Sequence, residues 1–267
     1  MMRVSGIFVA AAIAILPIAA ARAQAIKPNN PADAARYAAC MALAQKNPQQ
    51  AANDAKNWAD KGGGEPAQHC AAIAYLGMGL YTEAAQRLET LAERSTAQAG
   101  QLRAEMFAQA GQAWLIAGKP DKALTVQTRA LELRPNDVEV LIDRSITLAT
   151  AGQVWDAVDD LNRALEVAPD RADALVFRAS AYRSLDSLEL AEADIERANR
   201  LWPDSPEVLL ERGSIRKHRG NVAGARADWL QVLTLAPNSP AGEQARRDLQ
   251  SLDLKPREPD APRTRGR

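Results

Sequence analysis

The chain repeats itself every 34 residues, and that period leaves few folds open. "GKPDKALTVQTRALELRPND" begins at Gly118 and "GQVWDAVDDLNRALEVAPDR" at Gly152. "DSLELAEADIERANRLWPDS" begins at Asp186 and "GNVAGARADWLQVLTLAPNS" at Gly220. Ala123, Ala157, Ala191 and Ala225 share one position, and Pro135, Pro169, Pro203 and Pro237 another. Ala130, Ala164 and Ala198 share a third, which Val232 takes in the last unit. Leu141 to Asp170 reads as one amphipathic hairpin of two helices. A single hairpin cannot bury its own apolar face; stacked neighbours can. The expected fold is all-α, an α-solenoid of antiparallel helix hairpins.

Small residues fall where two helices must come close. Gly111, Ser145, Ala179 and Gly213 recur in the first helix of each unit. A large side chain there would force the helices apart. Trp114, Leu148 and Tyr182 take a larger packing position, where Arg216 departs from the pattern. The turn glycine accommodates a left-handed backbone, and Asp186 is the exception. These features resemble the tetratricopeptide repeat, a 34-residue helix–turn–helix unit. Four units span about 104–137, 138–171, 172–205 and 206–239, together 104–239. Asp137 is placed to cap the helix starting at Val138. Ser205 and Ser239 are each followed by proline at the first helical position. The helix after Ser239, within 240–254, has Ala241, Ala245, Leu249 and Leu252 on one side and reads as a cap. Upstream, 24–99 reads as degraded helical repeats or a separate helical cap. Pro66 to Glu93 is its clearest unit, and Ser95 to Ala99 add length after it.

Arg144, Arg178 and Arg212 share one repeat position, and Asp160, Asp194 and Asp228 another, sixteen residues on. The unit from 104 lacks both, carrying Ala110 and Val126. Presence and absence go together within a unit, which favours charge-assisted pairs inside each hairpin. A row of three catalytic dyads is the poorer reading, because catalysis needs one converging constellation. Some tetratricopeptide repeats carry this same Arg and Asp variant, so the resemblance supports the structural reading. His69 beside Cys70 raises a metal site, but the other histidine, His218, is several units away and a zinc site lacks a fourth ligand. There is no nucleophile elbow, phosphate-binding loop or close histidine pair. No enzyme, cofactor or metal is expected.

By resemblance, first helices line a concave surface. Its inward positions include Glu105, Ala108, Gln112, Glu139, Ile142, Ile146, Asp173, Val176, Ser180, Arg183, Glu207, Leu210, Ser214 and Lys217. The expected partner-binding set is Gln112, Ile142, Ile146, Val176, Arg183, Leu210 and Lys217, with the isoleucines alternatively packing between helices. Arg183 and Lys217 would give the surface a positive end, suited to an extended peptide with apolar side chains and an acidic group. "RKHRGNVAGAR", Arg216 to Arg226, is a basic cluster: an ordinary solvated turn, or a contact for an acidic partner.

Residues 1–23 read as a secretory signal peptide. Arg3 precedes an apolar run broken by Pro17, and Ala21-Arg22-Ala23 fits a cleavage site. The alternative is an uncleaved anchor. The chain's 33 basic and 33 acidic residues balance, and losing Arg3 and Arg22 leaves a formal charge of −2. That argues against nucleic acid as a partner. The two cysteines, Cys40 and Cys70, then face an oxidising compartment and form one disulfide, with free buried thiols as the alternative. The pairing would clamp the N-terminal end and stabilise it by about 3–4 kcal/mol. The tail 255–267, rich in proline and arginine, reads as disordered. The functional expectation is a periplasmic scaffold or accessory factor binding one or more envelope proteins or peptides. No membrane span is expected after cleavage, and no oligomeric state is implied. The alternative is a structural module associated with peptidoglycan or polysaccharide, or an accessory beside a hydrolase. Saccharides favour exposed aromatic platforms, and aromatics make up only 4% of this chain.

Overall fold

The structure, a computed structural model, describes residues 31–95 and 100–253. The expectations for the leader 1–23, the added length at 96–99 and the tail 255–267 lie outside these residues. Among the described residues there are thirteen α-helices and no strand. They are α1 (Pro31–Lys46), α2 (Pro48–Ala59), α3 (Gly64–Gly77), α4 (Tyr81–Arg94), α5 (Gly100–Ile116), α6 (Pro120–Leu133) and α7 (Val138–Thr150). Then follow α8 (Val154–Val167), α9 (Ala172–Ser184), α10 (Leu188–Leu201), α11 (Pro206–His218), α12 (Val222–Leu235) and α13 (Pro240–Asp253). From α3 to α12 the helices pair as successive hairpins, each packed on the next, and α13 closes the row. The fold is an all-α solenoid.

Local chemistry fixes where each helix begins and ends. The turns inside the four hairpins use positive φ: +71° at Gly118, +58° at Asp186 and +81° at both Gly152 and Gly220. A Cβ built on any of these three glycines meets nothing within 4 Å. What glycine relieves there is backbone strain, not crowding, and Asp186 bears that strain at a cost of about 1 kcal/mol. Asp137 accepts from the amides of Glu139 and Val140 (3.1 and 3.3 Å). Ser205 accepts from Val208, and Ser239 from Gly242.

Helix contact within a hairpin follows a small-against-large rule. A Cβ on Gly213 would lie 2.4 Å from the Trp229 indole nitrogen, and one on Gly111 2.5 Å from Gln127 Cγ. The equivalent pairs by register are Ser145 with Leu161 and Ala179 with Ile195. A bulky residue on the second helix thus has a glycine opposite it, and an intermediate one has alanine or serine.

At the N-terminal end, α1 and α2 are separated by Asn47 alone, whose side chain caps α2 by accepting from Gln50 N–H at 3.1 Å. Cys40 on α1 and Cys70 on α3 form a disulfide across a separation of 30 residues, with Cα atoms 6.2 Å apart. A second tie runs beside it. His69 is fully buried, with Nδ1 2.8 Å from the Tyr37 hydroxyl and Nε2 2.9 Å from Gln109 Oε1. The Gln109 oxygen can only accept, so Nε2–H donates to it and Nδ1 accepts from Tyr37. Burial pushes the His69 pKa down to about 4, against a partial offset from the Gln109 hydrogen bond. The neutral ring therefore links α1, α3 and α5. Among the described residues no group of three or more His, Cys, Asp or Glu side chains is placed to hold a metal ion.

The other end is closed by chemistry too. Ala241 and Ala245 of α13 cluster with Leu209, Ala225, Trp229 and Val232, and Leu249 packs against them. Where α11 carries Leu209, Arg212, Gly213 and Arg216, α13 carries Glu243, Arg246, Arg247 and Gln250. A further hairpin would meet a polar face, so the stack stops. No helix of the described residues is long and apolar enough to cross a membrane.

Candidate partner-binding surface

The three Arg–Asp pairs sit between the two helices of their own hairpins. Arg144 donates to both oxygens of Asp160 at 2.7 Å, and Arg178 to both of Asp194 at 2.7 Å. Arg212 reaches Asp228 at 3.2 and 2.7 Å. All three aspartates are buried. The bidentate bond to Asp194 raises the Arg178 pKa above its ordinary value despite partial burial, and Asp228 does the same for Arg212. The pairs also reach backwards. Arg144 Nη1 donates to Thr128 at 3.2 Å, and Arg178 Nη1 to Asn162 at 2.8 Å, both on the preceding unit. In the last unit Arg216 adds a second guanidinium to Asp228 at 2.8 Å and lies 3.7 Å from Glu196. That contact accounts for arginine at a position otherwise held by Trp, Leu or Tyr. These pairs are structural cross-links between the two helices of a hairpin.

On the opposite side the first helices meet one another. Gln112 of α5 donates to Asp143 of α7 at 2.6 Å. Arg171, before α9, forks onto Asp173 and also pairs with Glu139 of α7. Its pKa is raised, first by the hydrogen bond to Asp173. Arg183 of α9 pairs with Glu211 of α11 through two bonds, 2.6 and 3.1 Å. Lys217 of α11 donates to Ser251 of α13 at 3.0 Å and lies over the Trp229 ring.

This geometry corrects the expected site in four places. Ala108 and Ile142 are buried in the core and do not line the surface. Arg183 offers no free positive charge: burial opposes its charge, and Glu211 more than offsets that burial. Lys217 keeps its charge but is held at the α11–α13 contact by Ser251 and the Trp229 ring. The basic cluster from Arg216 to Arg226 is spent internally as well: Arg216 on Asp228, Arg219 on Glu189 and Glu192, and Arg226 on Asp253. What the first helices do bring together is a half-buried track. Gln112, Ile146, Val176, Ser180, Leu210 and Ser214 come from four consecutive first helices. Such a track can hold an extended chain by apolar contact and hydrogen bonding, without covalent chemistry. Sequence reading missed Asp143, Glu211 and Gln109. Their partners lie 28 to 40 residues away, across unit boundaries, and the repeat register does not pair them.

Two family models, both described as tetratricopeptide repeat, match the chain. One matches residues 112–181, the other residues 71–138 and 185–240. Among solved structures, a tetratricopeptide repeat protein from Parabacteroides merdae ATCC 43184 is 21% identical at a TM-score of 0.58. The match covers 68% of this chain and 70% of that one. TTC0263, a thermophilic TPR protein in Thermus thermophilus, is 20% identical at 0.57, over 71% of this chain and 100% of that one. YrrB, described as a TPR protein with an unusual peptide-binding site, is 14% identical at 0.52, over 72% and 96%. At these identities the likeness concerns the fold. No curated protein sequence matches.

Proposed function

Since this chain is a tetratricopeptide-repeat protein, we propose that it is an exported, non-enzymatic scaffold that holds an extended peptide segment of an envelope protein on its first-helix face. General protein–protein interaction is the role of this repeat fold; the compartment, the partner class and the face are our reading. The observation that carries it is the half-buried track of Ile146, Val176 and Leu210, with Ser180 and Ser214, on three consecutive first helices. Apolar side chains at regular spacing suit alternate side chains of an extended segment, and the hydroxyls suit its backbone. The peptide-binding site described for YrrB supports a peptide as the ligand class. A periplasmic setting accords with the leader-like first 23 residues and with the Cys40–Cys70 disulfide.

The polysaccharide reading draws on two exposed tryptophans, Trp155 and Trp202. They stand near opposite ends of their helices, Trp155 at the start of α8 and Trp202 after the end of α10. They therefore do not make one stacking platform. A photocrosslinker placed at Ser180 or Ser214 in cells, with exposed Glu132 on α6 as control, tests the proposal. One protein captured from Ser180 and Ser214 but not from Glu132, and lost in a folded Ile146→Asp/Val176→Asp variant, is the expected result. Equal capture from Glu132 overturns the face. Retention on purified cell-wall material without any protein crosslink overturns the partner class.

A further inference from the structure

The surface made by the second helices carries a groove of about 460 Å³ between α6 and α8. Its walls are Leu124 and Thr128 on α6, Leu148 on α7, and Asp156, Asp159 and Asp160 on α8. One lining residue differs in size from its counterparts in the other units. Trp114, Leu148, Tyr182 and Arg216 share a repeat position, and leucine is the smallest of the four. The fourth unit shows how the same place is filled. There Arg216 extends its guanidinium to Asp228 at 2.8 Å and toward Glu196 at 3.7 Å. Asp228 and Glu196 are the repeat equivalents of Asp160 and Thr128, two walls of the groove.

Charge follows the same pattern. In the fourth unit Arg212, Arg216 and Arg219 sit among Glu189, Glu192, Glu196 and Asp228. In the second unit Asp156, Asp159 and Asp160 face two guanidiniums. Arg144 is committed to Asp160, and Arg163 donates to the Pro135 carbonyl at 2.7 Å and lies 3.7 Å from Asp160. Three carboxylates thus face two guanidiniums, and Leu148 supplies no charge where Arg216 supplies one. Leu124 and Leu148 supply the apolar walls that the methylenes of an arginine stem pack against.

We propose that this groove receives an arginine side chain from a partner protein segment, with its guanidinium against Asp156 and Asp159 and its stem along Leu124 and Leu148. The guanidinium's planar fork suits paired carboxylates better than an ammonium does. Trp155 is 63% exposed and stands one helical turn before Asp159, offering an indole face to the same segment. The groove lies on the second-helix side, away from the track on the first helices, so the scaffold holds two segments at once.

The test is a nuclear magnetic resonance titration of the labelled full chain with acetyl-Leu-Arg-Leu-amide at millimolar concentration, against the same peptide with citrulline. The expected result is shifts centred on residues 124, 148, 156 and 159, with citrulline binding at least about tenfold more weakly. A Leu148→Arg variant fills the groove from within, as Arg216 does, and abolishes the response. An Asp156→Asn/Asp159→Asn variant weakens it about tenfold, and it decides the matter if Leu148→Arg does not fold. No shifts at these residues, equal binding of citrulline, or an unchanged response in the folded variants overturns the proposal.

Discussion

Replacement of Gln127 by leucine is expected to stabilise the protein, although glutamine is among the better helix formers. Gln127 is fully buried in the α5–α6 hairpin, and neither its amide nitrogen nor its amide oxygen has a hydrogen-bond partner among the described residues. The equivalent residues in the next three hairpins are Leu161, Ile195 and Trp229, all buried and apolar. A buried polar group without a partner costs about 1–3 kcal/mol. Leucine removes both groups at once and fits, because Leu161 already packs opposite Ser145, which is larger than the Gly111 that faces Gln127. Some of the gain is lost to imperfect packing of a branched side chain against Gly111, so about 2 kcal/mol remains. For a chain of this size that corresponds to about 4–8 °C in Tm. Urea unfolding, followed by circular dichroism, should show a raised midpoint at unchanged slope. Hydrogen exchange should slow most in α5 and α6. A Gln127→Leu protein no more stable than the parent, with exchange in α5 and α6 unchanged, would show that the buried amide carries no penalty and that the reasoning is wrong.

The Arg–Asp pairs should behave non-additively. Asp194→Ala leaves Arg178 half-buried with Asn162 and the Tyr182 ring, and should cost roughly 3 kcal/mol. The double variant Arg178→Ala/Asp194→Val reproduces the uncharged arrangement of Ala110 and Val126 in the first unit and should cost clearly less; a double variant as unstable as the sum of its singles would refute the pairing. The N-terminal end should weaken in acid through His69. Its folded pKa of about 4 lies below the unfolded value of 6.5, so between those values the unfolded chain binds the extra proton. Its contribution is whole above pH 6.5 and falls by about 3 kcal/mol as the pH drops to 4. Hydrogen exchange in α1 and α3 as a function of pH checks this, and a His69→Gln variant with the same pH dependence would remove histidine as the cause.

Much of the solenoid was legible because its determinants are local or lie within one unit. The helix ends follow from Asp137, Ser205 and Ser239. The turns follow from three glycines and Asp186, which takes the positive φ expected of it. The partners of Arg144, Arg178 and Arg212 lie sixteen residues on, inside the same hairpin, where presence and absence in the sequence pair them. The candidate surface was less legible, because its contacts cross between units. Whether Arg183 is free or bound to Glu211 depends on how far α11 is rotated against α9, and no spacing in the sequence states that angle. Ile142 was misplaced for a related reason: one position on a first helix faces either the open track or the neighbouring helix, and a turn of a few tens of degrees decides. The groove beside Leu148 was visible only as a leucine among larger residues, with no sign of what stood around it.

The backward reach of the arginines bears on how the molecule comes into being. Arg144 contacts Thr128, Arg178 contacts Asn162, and Arg216 lies near Glu196; each link runs from a first helix to the second helix of the unit before it. A chain is made from its N-terminus. Every newly emerged hairpin therefore meets a finished docking surface instead of waiting for one still unmade. The disulfide joins α1 to α3, the His69 bridge adds α5, and α13, polar on its far side, packs on the last of the four hairpins. The first-helix face completes later: Gln112 waits for Asp143, and Arg183 for Glu211, each on the next unit.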